Sequence, residues 1–222
     1  MNTPEPKFIT FDMYGTLTDF QMSTITKDVT KDIIGPDLIG KFLEVFSYYR
    51  MDEVMGDWRP YDVVIDRAYQ RTCRRTGAPY LPEHSSAIFG DIPNWGPHPD
   101  IPVPLAKLAS RFPLVILSNA ADSQIGRNVE KLGAPFHRAF SAEQAQAYKP
   151  RLQAFEYMFA QLGCLPEEVM HVSSSPRYDL QPATDLGVKN TVYLNRGWEP
   201  AAPFYHHYDV ASLDEVVRIL GV

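Results

Sequence analysis

Two short β-prone runs, Lys7-Phe8-Ile9-Thr10-Phe11 and Leu114-Val115-Ile116-Leu117, are separated by a long stretch whose pattern is mostly helical. A crossover between parallel strands normally needs one helix, so a helical block of this length is an insertion rather than a connection. Within it Leu38, Phe42, Val45 and Tyr49 share one helical face, and Tyr61, Val64 and Ala68 share another. Gly35-Pro36 and Arg59-Pro60 punctuate these helices. The expected organisation is a core formed by residues 1–18 and 96–222, with residues 19–95 as an inserted helical cap and the Pro- and Gly-rich 93–104 stretch as the return linker.

Beyond the linker, helical and apolar runs alternate. Helices are predicted near 103–110, 123–132 and 151–162, and strands near 114–117, 138–140, 169–172 and 191–194, the last taken as the final strand. Alternation of this kind predicts an α/β fold: a parallel sheet with helices on both faces, which binds ligands beyond the carboxyl ends of its strands.

A chain of 222 residues can hold one such core and one smaller module. Its net charge of −6 gives no basic field for nucleic acid or an anionic membrane, and the densest basic group, Arg71, Arg74 and Arg75, fits a solvated helix face. A small anion must then be met by a few buried Arg or Lys side chains. The two cysteines, Cys73 and Cys164, form no CxxC pair, so neither a disulfide framework nor a thiolate metal site is expected. The amino-terminal residues Met1 to Lys7 are polar, with no apolar leader, and no run is long enough to span a bilayer; the cytoplasm is the expected location.

The residues just past the apolar runs carry the chemistry: Asp12 after the first, Ser118 and Asn119 after the second, Lys149 further on, and the loop from Ser173 to Asp179 after the run at 169–172. In the predicted fold they converge on one crevice, where a carboxylate, an amide, an amine, hydroxyls and a second carboxylate make a catalytic constellation.

Phe11-Asp12-Met13-Tyr14-Gly15-Thr16-Leu17, Leu117-Ser118-Asn119, Tyr148-Lys149-Pro150 and the hydroxyl-rich loop ending in Asp179 resemble the four ordered motifs of the haloacid dehalogenase (HAD) superfamily. The Asp-x-Tyr-Gly-Thr form resembles its L-2-haloacid dehalogenase branch, whose helical cap lies where the insertion is predicted. The resemblance implies a HAD-like Rossmannoid core and hydrolysis of small 2-haloalkanoic acids to 2-hydroxy acids without metal or other cofactor. Phosphatase relatives have a second acid where this chain has Tyr14, and a metal-binding aspartate where it has Ser174. With Asp12 and Asp179 the only evident carboxylates, Mg²⁺ has too few oxygen ligands. Halide departs as a stable anion and needs a donor-lined cradle instead.

The expected roles follow. Asp12 attacks the halogen-bearing carbon and forms an ester. Lys149 keeps Asp12 charged, and Thr16 donates a hydrogen bond to it or to its loop. Asp179 either takes the proton of the hydrolytic water or anchors Lys149, while Ser174 and Ser175 position the water and neighbouring groups. Tyr14, Arg50, Ser118 and Asn119 are the candidates for substrate or halide binding: by resemblance Ser118 meets the substrate carboxylate, and Asn119 with a cap arginine meets the halide. Arg50 is the choice for that arginine and Arg59 the alternative. The configuration at the substrate carbon inverts.

The chain departs from the branch at Phe155, where a tyrosine is usual, and in the longer loop Ser174-Ser175-Pro176-Arg177-Tyr178-Asp179. Phe155 also reads as plain helix core. His206-His207 reads as a solvated tail segment, His171 as a satisfied core histidine, and Trp58, Trp95 and Trp198 as packing residues or pocket lining. A Mg²⁺-dependent phosphatase, a hydrolase opening a small strained ring by the same displacement, and an inactive binding protein remain alternatives. Homodimerisation is implied by the resemblance alone.

Overall fold

The computed structural model describes residues 5–222; residues 1–4, the start of the polar amino-terminal stretch, lie outside the described residues. The chain divides into two compact units, one of residues up to Asp19 with Gly96–Val222, the other Phe20–Trp95.

The first unit is built on six parallel strands: β1 (Phe8–Phe11), β2 (Leu114–Ser118), β3 (Arg138–Ser141), β4 (Val169–Ser173), β5 (Asn190–Leu194) and β6 (Tyr208–Val210), in the order β3-β2-β1-β4-β5-β6. Every residue of β1, β2 and β4 is buried, as expected of strands covered on both faces. Side chains alternate between those faces. Ile9, Phe11, Leu114, Ile116, Met170 and Val172 join one core, under helices α5 (Pro102–Ala109), α6 (Asp122–Glu130) and α10 (Leu213–Leu220). Phe8, Val115, Leu117, Phe140 and Val169 join the other, under Phe155, Met158 and Phe159 of α8 (Leu152–Leu162), which the short helices α7 (Ala142–Ala145) and α9 (Gln181–Asp185) precede and follow in the chain. The strand order changes direction at β1, the switch point beyond whose carboxyl end sheets of this kind bind ligands.

The second unit holds α1 (Met22–Thr30), α2 (Pro36–Met55), α3 (Tyr61–Thr76) and α4 (Pro82–Asp91). Helices α2 and α4 begin on a proline, whose missing N–H has no intrahelical acceptor there anyway. Phe42 and Phe46 of α2 meet Tyr69 of α3 with ring centroids 5.6 and 6.0 Å apart. Glu53 of α2 is buried and takes both Arg67 and Arg71 of α3 at 2.8 and 2.7 Å. Burial would push its carboxyl up, but the two guanidinium groups outweigh that and hold it below the usual range.

The carboxyl-terminal end differs from expectation. The final strand is β6, not the run at 191–194, and α10 follows it. The His206-His207 segment, expected as a solvated tail, is tied to the core: the His206 side chain is 5% exposed against the ring of Tyr193, while His207 is exposed with its Nδ1 2.9 Å from Thr191 Oγ1. Helix α5 starts within the expected linker, at Pro102. Among the described residues no helix is long and apolar enough to cross a membrane.

Candidate active site

Asp12 leaves β1 with its N–H still donated to Val172 O of β4 at 3.1 Å, so the sheet fixes its backbone. The chain then doubles back: Leu17 and Thr18 both donate to Met13 O at 2.9 Å, and Gly15 adopts φ 90°, a region open to glycine at little cost. This turn brings Thr16 Oγ1 to 2.5 Å from Asp12 Oδ2. Thr16 Oγ1 also accepts the N–H of Ser174 at 2.9 Å, with Ser174 Oγ 3.1 Å away. One hydroxyl proton serves one acceptor, and the shorter contact assigns it to the carboxylate.

Lys149 lies between two acids. Its Nζ is 2.9 Å from Asp12 Oδ1 and 2.6 Å from Asp179 Oδ1, and the lysine is 1% exposed. Burial would lower its pKa, but the two carboxylates outweigh that and raise it above the ordinary lysine value. Burial raises Asp12, and the negative charge of Asp179 adds to this against the opposing pull of Lys149 and Thr16. Burial works the same way on Asp179, yet Lys149 and then His171 hold its carboxyl below the usual range.

Asn119 grips the backbone of this lysine. Its Nδ2 donates to Lys149 O at 2.9 Å and its Oδ1 accepts Lys149 N–H at 2.8 Å. Its amide, expected to be free for halide, is therefore largely committed, with one Nδ2 proton left over. Ser118 Oγ, at the end of β2, is buried and has no hydrogen-bond partner. Tyr14 donates its hydroxyl to Asn128 Oδ1 of α6 at 3.0 Å. Ser175 is engaged outside this cluster: its Oγ accepts Tyr178 N–H at 3.1 Å and lies 3.3 Å from Glu199 Oε2.

In the helical unit, the Arg50 guanidinium lies over Phe20 and Phe46, 5.4 and 5.1 Å from the ring centroids, with Tyr61 hydrogen-bonded to it. Its buried Nε has no partner. Arg59 Nη1 caps the carbonyl of Asp57 at 3.2 Å. Trp95 donates to Asp91 at 2.9 Å and is buried within that unit; Trp198 is 55% exposed and donates to Gly15 O at 3.2 Å.

Two groups escaped the sequence reading. His171 is a fully satisfied core histidine, but one of its partners is Asp179, whose Oδ1 is 3.2 Å from Nε2. A polar side chain on a buried strand needs a partner, and that requirement was the available signal. The second is the loop after β5. Arg196 donates Nε and Nη2 to Thr16 O at 3.2 and 3.1 Å while Nη1 pairs with Asp100 at 2.8 Å.

The two central carboxylates already share one ammonium, and no cluster of three or more His, Cys, Asp or Glu suited to a metal exists among the described residues. This donor set does not fit Mg²⁺, which asks for several hard oxygen ligands. It fits a carboxylate nucleophile held ionised by a neighbouring cation.

Residues 6–187 match the family model described as haloacid dehalogenase-like hydrolase. The (S)-2-haloacid dehalogenase 4A of Burkholderia cepacia is 35% identical over 223 residues, covering 95% of this chain and 93% of that protein. Among solved structures, the L-2-haloacid dehalogenase of Xanthobacter autotrophicus with covalently bound chloropropionic acid superposes with a TM-score of 0.77 at 20% identity, covering 97% of this chain and 98% of that one. A HAD-hydrolase of Bacillus subtilis bound to magnesium superposes with a TM-score of 0.84 at 16% identity, covering 99% and 100%. One fold thus accommodates both kinds of protein, and the side chains must discriminate.

Proposed function

The chain belongs to the haloacid dehalogenase-like hydrolases, and from that premise we propose that it hydrolyses small 2-haloalkanoic acids to 2-hydroxy acids through an ester on Asp12. The observation that carries this reading is Lys149 Nζ, 2.9 Å from Asp12 and 2.6 Å from Asp179 in a buried cluster. A lysine there pulls Asp12 toward its anionic form against the opposing effect of burial.

An Asp12 oxygen attacks the carbon bearing the halogen; the new C–O bond forms as the C–X pair leaves with halide, and the carbon inverts. A carboxylate is a weak nucleophile in water, but burial strips its hydration, and in-line placement supplies effective molarities of ~10⁵ M or more. Ser118, whose buried hydroxyl is bare, fits the substrate carboxylate. Arg50, with an unpartnered Nε backed by two phenylalanine rings, is proposed for the halide, with the residual Asn119 proton as a second donor. Asn119 otherwise holds Lys149. The helical unit is proposed to act as the cap that carries Arg50. Water then adds to Asp12 Cγ, with Asp179 as base and Ser174 beside Thr16 as a positioning hydroxyl. Homodimerisation and a cytoplasmic location belong to the same reading.

The test is halide release from chloroacetate, L-2-chloropropanoate and fluoroacetate in excess chelator, beside a phosphate ester with Mg²⁺. Halide release that persists with EDTA and disappears in Asp12→Asn is expected. Phosphate release alone reverses the assignment.

A further inference from the structure

Asp179 presents two unlike oxygens. Oδ1 takes Lys149 Nζ at 2.6 Å and His171 Nε2 at 3.2 Å, whereas Oδ2 is buried with no partner. A bare, buried carboxylate oxygen is costly, so something must enforce the asymmetry. The enforcing groups stand behind the acid. His171 on β4 and Thr10 on β1 are direct register partners, both 0% exposed. They lie among Phe8, Val115, Leu117 and Val169, under Phe155, whose ring stands at 72° to that of His171 with the centroids 5.3 Å apart. Apolar residues in both places avoid the desolvation cost; a threonine and a histidine are tolerated because each is hydrogen-bonded, in part to the other. Thr10 Oγ1 is 2.8 Å from His171 Nδ1 and 3.3 Å from Met170 O. The other ring nitrogen, facing a carboxylate oxygen, carries a proton, and the Thr10 contact fixes the ring plane.

We propose that His171, held by Thr10, is a positioning residue for hydrolysis of the Asp12 ester: it engages Asp179 Oδ1 so that Oδ2 remains free to take a proton from the attacking water. This rests on the dehalogenase reading above. Water adds to Asp12 Cγ and gives one proton to Asp179 Oδ2. The tetrahedral carbon expels the substrate alkoxide, which takes that proton and leaves as the hydroxy acid. The remaining acid proton on Asp12 passes to solvent as the carboxylate is restored. During this step Asp12 is an uncharged ester, so Lys149 is answered by Asp179 alone. Without His171 the Asp179 carboxylate is free to rotate both oxygens onto the ammonium, and the base is lost. The charged and titratable groups facing Asp179 are Lys149, His171 from β4 and Asp12 from the end of β1. His171 is also one of the groups holding the Asp179 carboxyl low, which gives the proposal a pH signature.

The experiment is single-turnover reaction of the full chain with L-2-chloropropanoate, following halide by burst kinetics and the ester by mass spectrometry of quenched protein, for wild type, His171→Phe, His171→Gln and Thr10→Val. His171→Phe is expected to change the burst rate by less than about threefold, slow ester hydrolysis at least about tenfold and accumulate the acylated protein. The acid limb of its hydrolysis step moves to higher pH, and His171→Gln, which restores an N–H donor, recovers most of the rate. Equal slowing of both steps, an unmoved acid limb or no recovery by glutamine overturns the proposal. If His171→Phe does not fold, Thr10→Val decides: hydrolysis slowed beyond the burst supports the role, and parallel loss overturns it. A wild type with no halide burst sinks the dehalogenase reading itself, an outcome distinct from a normal burst followed by unaltered hydrolysis in His171→Phe.

Discussion

Ser118 and Asn119 are neighbours at the end of β2 with opposite commitments. Ser118 Oγ is buried and bare, while both ends of the Asn119 amide are bonded to the Lys149 backbone. A buried hydroxyl without a partner forfeits about 1–3 kcal/mol of hydration, so deleting it removes a cost rather than a contact. Ser118→Ala is therefore expected to leave the melting temperature unchanged or raise it. If the hydroxyl meets substrate, KM for the haloacid rises about tenfold in the same variant; a fall in stability with unchanged KM assigns Ser118 to the fold instead. Their strand-end positions marked both residues as candidates in the sequence, as they marked Asp12 and Lys149. What each side chain bonds was not legible, because Lys149 lies 30 residues from Asn119 and the pairing runs through the lysine backbone rather than its charge. His171 was hidden for a related reason: on a strand it looks like any core residue until Asp179, eight positions on, returns beneath it.

The strands that carry the site are readable because all their residues are buried and mostly apolar, as in Phe8–Phe11 and Val169–Ser173, where Thr10, His171 and Ser173 are the polar exceptions. Strand β6 had no such run: Tyr208–Val210 is three residues long, and only Val210 is buried. Helix α10 did carry a usable pattern, with Leu213, Val216, Val217 and Leu220 buried on one face. That pattern lies beyond the Pro- and His-containing segment, which breaks the alternation of strands and helices ahead of it. The turn after β1 was legible as a break, but its left-handed backbone at Gly15 is what returns Thr16 to Asp12. Gly15→Ala places a Cβ at φ 90° and is expected to cost about 1–3 kcal/mol in denaturant unfolding. It should also lower activity more than Thr16→Ser, which keeps the hydroxyl. Full activity in Gly15→Ala means that the turn does not set the Thr16 contact.

At the scale of the whole molecule, the buried Asp12, Lys149 and Asp179 link activity and stability to pH with different signs. Asp179 is held below the ordinary aspartate value of 3.8, so it contributes stability above that value which is lost as pH falls through its folded pKa. Asp12 is raised above 3.8, so the folded state takes up its proton first; protonation there relieves repulsion between the acids but neutralises the proposed nucleophile. Lys149 is raised above 10.5, so its contribution is complete below that value and is lost as pH rises through the folded pKa. Descending from neutrality, kcat/KM should therefore fail while the fold persists, and unfolding should follow only at lower pH. Halide release and circular-dichroism melts on the same samples, from about pH 3 to about pH 8, resolve the two transitions. Asp12→Asn, which lacks the raised carboxyl, should keep the low-pH unfolding that Asp179 governs. Coincidence of activity loss and unfolding in the wild type means that Asp12 titrates no higher than the groups that hold the fold together, and Lys149 alone then sets the charge of the nucleophile.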